Sequence, residues 1–259
     1  MIKILALGDV VSSCGTQYLA DGRRLAGFRE KIGADLVVVN GENSADGNGI
    51  LPSSADALFH AGADVITGGN HSWQRREIYR YFEENPALIR PANYPDAAPG
   101  QGYYIADVRG FRVLCINLAG VVFMEPVGSA FDCGDRILRD NAGKYDIALI
   151  DVHAEATSEK EALGWYFAGR AAAVWGTHTH VATADERILE GGTGYISDLG
   201  MCGSDTGILG MDREAIIRRF RERIPIRCTA ATEDPAAHGA LFVIDESQKK
   251  CVSVERVVF

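Results

Sequence analysis

The sequence predicts an α/β fold, because short aliphatic runs alternate with amphipathic stretches along the first third of the chain. Residues 2–7 and 36–39 are aliphatic runs, broken only by Lys3, and residues 63–67 indicate a third strand. A segment with helical spacing follows each of them. Such runs are typical of strands that are covered on both faces. Their alternation with helices favours right-handed βαβ units and a largely parallel sheet.

The remaining elements follow in order. Helical spacing predicts helices at 18–32, 52–59 and 73–84. Residues 103–108 and 111–118 flank Arg109-Gly110, a pattern that indicates an antiparallel hairpin. Further strands are expected at 146–152, 171–175, 195–197, 240–244 and 252–259, and further helices at 157–167 and 211–223. The sequence contains no repeat or linker, so we expect one domain over residues 1–259.

Composition indicates a cytoplasmic protein. Of the 259 residues 47% are hydrophobic and 24% are charged, which is typical of a globular chain. No apolar run approaches the ~20 residues of a membrane span. The first apolar stretch is too short for a signal peptide and is interrupted by Asp9. The six cysteines lack disulfide or zinc spacing, so we expect reduced thiols in a cytosol.

The formal net charge of −9 argues against stable binding of duplex nucleic acid, since such binding depends on neutralising phosphates with basic side chains. An acidic protein can still act on a small phosphate ester when metal ions invert the local field. One basic cluster lies at 213–227. We interpret it as an exposed helix face that needs no ligand.

The motif Gly176-Thr177-His178-Thr179-His180 directly follows the predicted strand 171–175. In extended backbone, residues two apart point to the same side, so both imidazoles would be available to one metal site. A lone His-x-His is equally compatible with two surface histidines. The interpretation therefore depends on the rest of the chain.

Polar side chains follow five of the predicted strands. They are Asp9, Glu42, Asn70, His153 and His178. In α/β proteins, sites form in the crevice beyond the carboxyl ends of the strands, so these five side chains are expected to converge. Together with Asn43 and His180 they form a donor set of carboxylate, carboxamide and imidazole, which suits Mn, Fe or Zn.

Seven donors exceed the needs of one ion, so we expect a two-metal site bridged by Glu42. Two ions ~3.5–4 Å apart can activate a bridging water and clamp phosphoryl oxygens. Each residue alone could instead have a structural role. Asp9 could cap a helix, Asn70 could be a turn residue, and His153 could be a buried histidine with satisfied hydrogen bonds. The ordered set of strand ends favours the metal site over these alternatives.

The motif set resembles the calcineurin-like metallophosphoesterases. Its members are Gly8-Asp9, Gly41-Glu42-Asn43, Gly69-Asn70-His71, His153 and Gly176-Thr177-His178-Thr179-His180. Further segments extend the resemblance to the YmdB-like subfamily: Asn40-Gly41-Glu42-Asn43, Arg90-Pro91-Ala92-Asn93, the stretch 153–160 and Gly210-Met211-Asp212-Arg213-Glu214. Two departures from the general pattern agree with that subfamily: Val11 replaces a usual histidine, and the bridging residue is Glu42 instead of aspartate.

The resemblance implies two mixed β-sheets flanked by helices, with the site at the carboxyl ends of the strands. It also implies that Asp9, Glu42, Asn43 and His180 hold one metal, while Glu42, Asn70, His153 and His178 hold the other. His71 would donate a proton to the leaving oxygen, which suits imidazole near neutral pH. The implied activity is hydrolysis of small phosphodiesters such as 2′,3′-cyclic nucleotides, with Fe or Mn as the expected metals and Zn or Mg as alternatives.

Two other functions remain open from the sequence: a phosphomonoesterase or nucleotidase, and a metal-containing regulatory protein with incidental turnover. Assembly as a homo-oligomer is expected, and Phe123, Met124 and Phe131 would fit either an oligomer contact or a lid. Other candidates near the site, each with an alternative structural role, are Cys14, Arg90, Asn93, Glu155, Ser158 and Lys160. His60 and His238 lie outside the motifs and are interpreted as structural.

Overall fold

The computed structural model describes residues 1–259. Its strands are β1 (Ile2–Val10), β2 (Leu36–Asn40), β3 (Val65–Thr67), β4 (Tyr103–Val108), β5 (Phe111–Ala119), β6 (Ile147–His153), β7 (Ala173–Thr177), β8 (Arg187–Leu189), β9 (Thr193–Ile196), β10 (Met201–Ser204), β11 (Pro235–Asp245) and β12 (Lys250–Val258). Its helices are α1 (Ser12–Ala20), α2 (Arg24–Ile32), α3 (Pro52–Ala61), α4 (Ile78–Glu84), α5 (Ala130–Asp140), α6 (Thr157–Tyr166) and α7 (Arg213–Glu222). None of the helices combines the length and apolar character that crossing a membrane requires.

The strands form two six-stranded mixed sheets. The first sheet has the order β12-β11-β10-β1-β2-β3, in which β1 is parallel to β2 and β10 while β11 is antiparallel to β1 and β12. The second has the order β4-β5-β6-β7-β9-β8, with a parallel centre and an antiparallel strand at each edge. The α/β class with two mixed sheets flanked by helices is therefore confirmed.

The two sheets pack face to face, and helices cover their outer faces. Alternate residues of β1 separate the layers, because side chains alternate across a strand. Ile2, Ile4 and Ala6 belong to the core between the sheets, whereas Leu5 and Leu7 pack under the helices. Trp175 of β7 and Phe242 of β11 meet across this core with ring centroids 5.6 Å apart.

Several predicted boundaries were wrong. The helix expected at 18–32 is split into α1 and α2, because Gly22 and Arg23 adopt left-handed backbone angles with φ of 57° and 58°. The helix expected at 73–84 begins only at Ile78, after a series of turns. Helix α5 and strands β8 and β10 were not predicted at all. The hairpin around Arg109-Gly110 is confirmed.

We expect the core between the sheets to dominate stability. Ile244 is fully buried there, so Ile244→Ala should lower the free energy of unfolding by about 2–5 kcal/mol through lost burial and a residual cavity. The matched control is Ile188→Ala, because Ile188 lies in β8 and is 46% exposed. The control should cost less than about 1 kcal/mol. Urea unfolding measures both, and equal losses would contradict this description of the core.

Candidate metal centre and active site

The seven predicted donors come together at the carboxyl ends of the strands of both sheets. Asp9 is the next-to-last residue of β1, and His153 is the last residue of β6. The other donors lie in the connections that follow β2, β3 and β7. Because each sheet contributes its carboxyl edge, the cluster lies where the two sheets meet.

Asp9, Asn43 and His180 form the first group of donors. The Nε2 atom of His180 lies 3.7 Å from Asp9 Oδ1 and 3.5 Å from Asn43 Nδ2. The His180 ring is held from its other side, where Nδ1 lies 3.2 Å from the carbonyl oxygen of Leu209.

His153, Asn70 and His178 form the second group. The Nε2 atom of His153 lies 3.0 Å from Asn70 Oδ1 and 3.1 Å from His178 Nδ1. Glu42 belongs to both groups, since its Oε1 atom lies 3.3 Å from His153 Nε2 and accepts a 2.8 Å hydrogen bond from Asn43 Nδ2. Glu42 thus lies between the two groups, and the assignment of each group to one metal ion stays a prediction.

His71 lies beside both groups. Its backbone N–H donates to Glu42 Oε2 at 2.8 Å, and its Nδ1 atom lies 2.9 Å from Asn43 Oδ1. Because a carboxamide oxygen can only accept, Nδ1 carries a proton and donates it to Asn43. The second ring nitrogen, Nε2, is left without a protein partner.

The backbone of the His-x-His motif is not extended, contrary to the prediction. His178 and His180 lie beyond the end of β7 and have φ values of 101° and 63°. The two rings therefore serve different partners: His178 faces His153, and His180 faces Asp9. A non-glycine residue in the left-handed region costs of order 1–3 kcal/mol, so the surrounding contacts must maintain this turn.

A buried ion pair holds the residue between the two histidines. Lys160 Nζ and Asp198 Oδ2 are 2.6 Å apart, and each side chain is only 2% exposed. The same Oδ2 atom accepts hydrogen bonds from the backbone N–H of Thr179 at 3.2 Å and from its hydroxyl at 2.7 Å. Gly176 leaves the space for Lys160, because a Cβ atom there would overlap the lysine side chain and the Ser197 carbonyl oxygen.

Two buried carboxylates, Asp9 and Glu42, dominate the electrostatics of the centre. Burial opposes ionisation of Asp9 and Glu42, but the nearby His180 lowers the pKa of the Asp9 carboxyl, and the nearby His153 and His71 lower that of Glu42. Burial alone would lower the pKa of His153, whereas the nearby Glu42 carboxylate raises it to about 9. Both effects have one cause: two buried carboxylates require a compensating cation.

A polar network beneath the centre orients His153. Its Nδ1 atom lies 2.9 Å from the hydroxyl of Thr177, which in turn donates to Asp151 Oδ1 at 2.8 Å. Thr177 uses its hydrogen on Asp151, so it must accept from His153 Nδ1. The Nε2 atom is thereby directed to the cluster, as in outer-shell networks around metal-bound histidines.

The centre fits divalent metal ions on three observations. One ligand atom each from Glu42, His153 and His178 lie within 4.8 Å of one another. The Oδ1 atom of Asp9 is buried but has no hydrogen-bond partner, which leaves a carboxylate oxygen free for a cation. A Cβ atom on Gly69 would overlap Glu42 Oε2 and His153 Nε2, so glycine preserves the space between these donors.

The donors open into a cavity of about 730 Å³, which is within the range of small-molecule sites. Glu42, Asn43, His71, His178 and His180 all line it. Glu155 also lines it and contacts His178, with Oε2 lying 3.0 Å from Nε2.

Other sequence candidates lie away from the centre. The Arg90 guanidinium donates to the carbonyl oxygens of Pro91, Ala92 and Gly100. The Asn93 amide donates to those of Ala119 and Gly128, so both side chains support loops. Asn93 also lines a separate cavity of about 820 Å³, which contains none of the seven donors. Cys14 and Ser158 do not line the metal cavity.

The remaining candidates have structural partners or lie on the surface. Phe131 is only partly exposed and packs edge-on against Tyr166, whereas Phe123 is 90% exposed. His60 Nδ1 lies 2.7 Å from the carbonyl oxygen of Asp56, and His238 Nε2 lies 2.9 Å from Asp205 Oδ1.

Sequence reasoning missed Asp151, Asp198 and Asn40. Asp151 could have been found from the sequence. It is a carboxylate inside an otherwise aliphatic strand, and such a group must have a buried partner. Its burial raises the pKa of that carboxyl to about 6. The Asn40 amide donates to the Gly68 carbonyl at 3.1 Å and to the Thr177 hydroxyl at 3.3 Å, and only the fold reveals this link between the sheets.

Comparisons with known proteins agree with this description. The family model described as YmdB-like protein matches residues 5–257. The chain is 44% identical over 257 residues to the 2′,3′-cyclic-nucleotide 2′-phosphodiesterase of Bacillus subtilis (strain 168), a match that covers 99% of this chain and 97% of that relative.

Two solved structures have the same fold. A hypothetical protein from Thermus thermophilus superposes with a TM-score of 0.92 at 37% identity, covering 100% of this chain and 99% of that one. A structure described as a novel phosphatase from Mycoplasma pneumoniae superposes with a TM-score of 0.91 at 31% identity, covering 100% and 93%.

The Lys160–Asp198 pair leads to a stability prediction. Lys160→Met leaves the Asp198 carboxylate buried without its cation, and we expect a loss of about 3–5 kcal/mol in the free energy of unfolding. The control is Lys249→Met, because Lys249 pairs with Asp146 at the surface. That exposed pair is worth at most about 1 kcal/mol. Chemical denaturation measures both variants, and similar losses would contradict the proposed role of the buried pair.

The space at Gly69 leads to a metal-binding prediction. In Gly69→Ala the new methyl group would displace Glu42 or His153, and we expect metal affinity to fall about 10–100-fold, as when an outer-shell partner is lost. Gly27→Ala in α2 is the control, because a Cβ atom there meets open space. Chelator competition with Mn²⁺ measures both. Unchanged affinity in Gly69→Ala would exclude tight packing of the donors around the ions.

Proposed function

Because the chain belongs to the YmdB-like protein family, we propose that it is a metal-dependent phosphodiesterase that hydrolyses 2′,3′-cyclic nucleotides. The observation that carries the proposal is the convergence of seven oxygen and nitrogen donors beside His71. Of these donors, Glu42, Asn43, His178 and His180 line the same open cavity as His71. The 44% identity to a 2′,3′-cyclic-nucleotide 2′-phosphodiesterase supports the choice of substrate class.

Two metal ions would be held by two donor sets that share Glu42. Asp9, Asn43 and His180 complete the first set, and Asn70, His153 and His178 complete the second. The mixture of carboxylate, carboxamide and imidazole favours Fe or Mn, with Zn or Mg as the alternatives. When bound, the ions supply positive charge that stabilises phosphoryl oxygens and activates water.

The protein side chains perform the remaining steps. When both ring nitrogens of His71 are protonated, Nδ1–H donates to Asn43, and the proton on Nε2 is the one that can pass to the leaving ribose oxygen. Glu42 fixes the backbone of His71 through the 2.8 Å bond to its N–H. The Thr177–Asp151 network keeps His153 Nε2 directed at the donors. Assembly as a homo-oligomer and location in the cytoplasm stay predictions from the sequence.

Hydrolysis of 2′,3′-cyclic AMP by manganese-loaded protein tests the proposal. We expect turnover of this diester, and a loss of about 10²–10⁴-fold in kcat for His71→Ala, because a general acid has been removed. His60→Ala is the control, since His60 bonds only to its own helix. Metal content, measured by mass spectrometry, should be the same in all three proteins.

The outcomes separate the alternatives. Faster hydrolysis of 3′-AMP than of the cyclic diester would favour a phosphomonoesterase, in keeping with the description of the Mycoplasma pneumoniae structure as a phosphatase. Full activity of His71→Ala would exclude His71 as the proton donor. No turnover of either substrate in protein that holds two metals would refute the proposed substrate class.

A further inference from the structure

One charged side chain in the metal cavity has no role in the proposed reaction. Arg227 is the only lysine or arginine among the residues that line the cavity. It is exposed and forms no hydrogen bond or ion pair within the protein. Arg213 and Arg218 of α7 pair with Glu214 and Glu222. Arg219, Arg221 and Arg223 also lack a side-chain partner, but they lie outside the cavity. The interpretation of 213–227 as one solvated helix face therefore fails at its last residue, which lies beyond the end of α7.

Backbone contacts fix the segment of Arg227 beside the metal donors. Met211 and Ala230 form a β-bridge, and the N–H of Asp212 donates to the carbonyl of Thr229 at 2.8 Å. The bridged loop also contains Leu209, whose carbonyl oxygen lies 3.2 Å from His180 Nδ1. Arg227 is thus attached, through two short connections, to the loop that contacts a metal donor.

The other charged residues of the cavity leave Arg227 available for an anion. Two of the lining carboxylates already have partners: Asp46 accepts from the N–H of Ser13 at 2.9 Å, and Glu155 lies 3.0 Å from His178. The guanidinium group presents paired N–H donors that match two oxygens of a phosphate. The reacting phosphate would be bound at the metal donors, so a second phosphate is the group that suits Arg227.

The cavity has room for such a group. Its volume of about 730 Å³ lies in the upper half of the range for small-molecule sites. A cyclic phosphate occupies the 2′ and 3′ positions of the ribose, which leaves the 5′ carbon as the position for a further phosphate. Hydrolysis adds one water across the P–O2′ bond, giving a 3′-phosphate and a 2′-hydroxyl, and the 5′-phosphate is not consumed.

We propose that Arg227 binds the 5′-phosphate of a substrate whose 2′,3′-cyclic phosphate lies at the metal donors. The inference rests on the proposed function and narrows its substrate class to 5′-phosphorylated 2′,3′-cyclic nucleotides. A free nucleotide with a 5′-monophosphate offers this chemistry, and so does the last nucleotide of an oligoribonucleotide, whose 5′ oxygen is part of a diester.

The test compares three substrates: 2′,3′-cyclic AMP, its 5′-monophosphate, and the dinucleotide ApA with a terminal 2′,3′-cyclic phosphate. For the wild type we expect kcat/KM to be about tenfold higher for at least one phosphorylated substrate, the value of one charge-assisted hydrogen bond. In Arg227→Ala the kcat/KM of the phosphorylated substrate, divided by that of 2′,3′-cyclic AMP, should fall to about one. Arg227→Lys should retain part of this preference. Arg221→Ala, which removes an equal charge outside the cavity, should leave the ratio unchanged.

The two phosphorylated substrates identify the source of the phosphate. A preference for the monophosphate alone supports a free nucleotide, and a preference for the dinucleotide supports an oligonucleotide end. A ratio near one in the wild type, or the same raised ratio in Arg227→Ala, would overturn the proposal.

A binding experiment keeps this proposal separate from the proposed function. Adenosine 3′,5′-bisphosphate and 3′-AMP share the 3′-phosphate and differ only at the 5′ position. Their dissociation constants on manganese-loaded protein should differ about tenfold in the wild type and be equal in Arg227→Ala. If the wild type hydrolyses none of the cyclic substrates, the proposed function fails, and this pair of constants still decides the role of Arg227.

Discussion

The structure around the site depends on the burial of two carboxylates, Asp9 and Glu42, at the carboxyl ends of adjacent strands. Each is at most 1% exposed, and an isolated buried carboxylate would cost several kcal/mol of desolvation. The surrounding imidazoles partly compensate that charge, as the raised pKa of His153 indicates. A divalent cation compensates it more completely, since it brings two charges to oxygens that already converge.

The same requirement explains the polar layer beneath the centre. Asn40 and Thr67 belong to the first sheet, and both contact Asp151 of the second sheet. The carboxyl edges of two sheets are thereby joined by side-chain hydrogen bonds in a region where all the partners are buried. A network of this kind is favourable only when every member is satisfied, so its geometry is fixed as a unit. His153, a candidate metal donor, is bonded to this network through Thr177, so its position is fixed with the network.

The sequence was informative where a local pattern determines structure. Aliphatic strand runs predicted most of the strands, and the family resemblance predicted their division into two sheets. Polar residues at strand ends predicted that Asp9, Glu42, Asn70, His153 and His178 converge, and the structure brings them together. Sequence patterns failed where a tertiary contact determines the local conformation. The turn at His178 and His180 depends on Lys160 and Asp198, which are 38 residues apart, and no spacing rule links such a pair. Arg227 looked like part of a helix face, because α7 ends only five residues before it.

The left-handed backbone at His178 and His180 lowers folding stability but places two imidazoles at the site. Glycine and asparagine adopt such backbone angles at little cost, whereas histidine is strained there. At positions 178 and 180, a protein selected only for stability would thus tend to acquire glycine or asparagine and lose its imidazoles. Histidine at both positions supplies two imidazoles to the candidate metal centre at the expense of backbone stability. In a directed-evolution library, these positions would report whether the screen measures folding or catalysis.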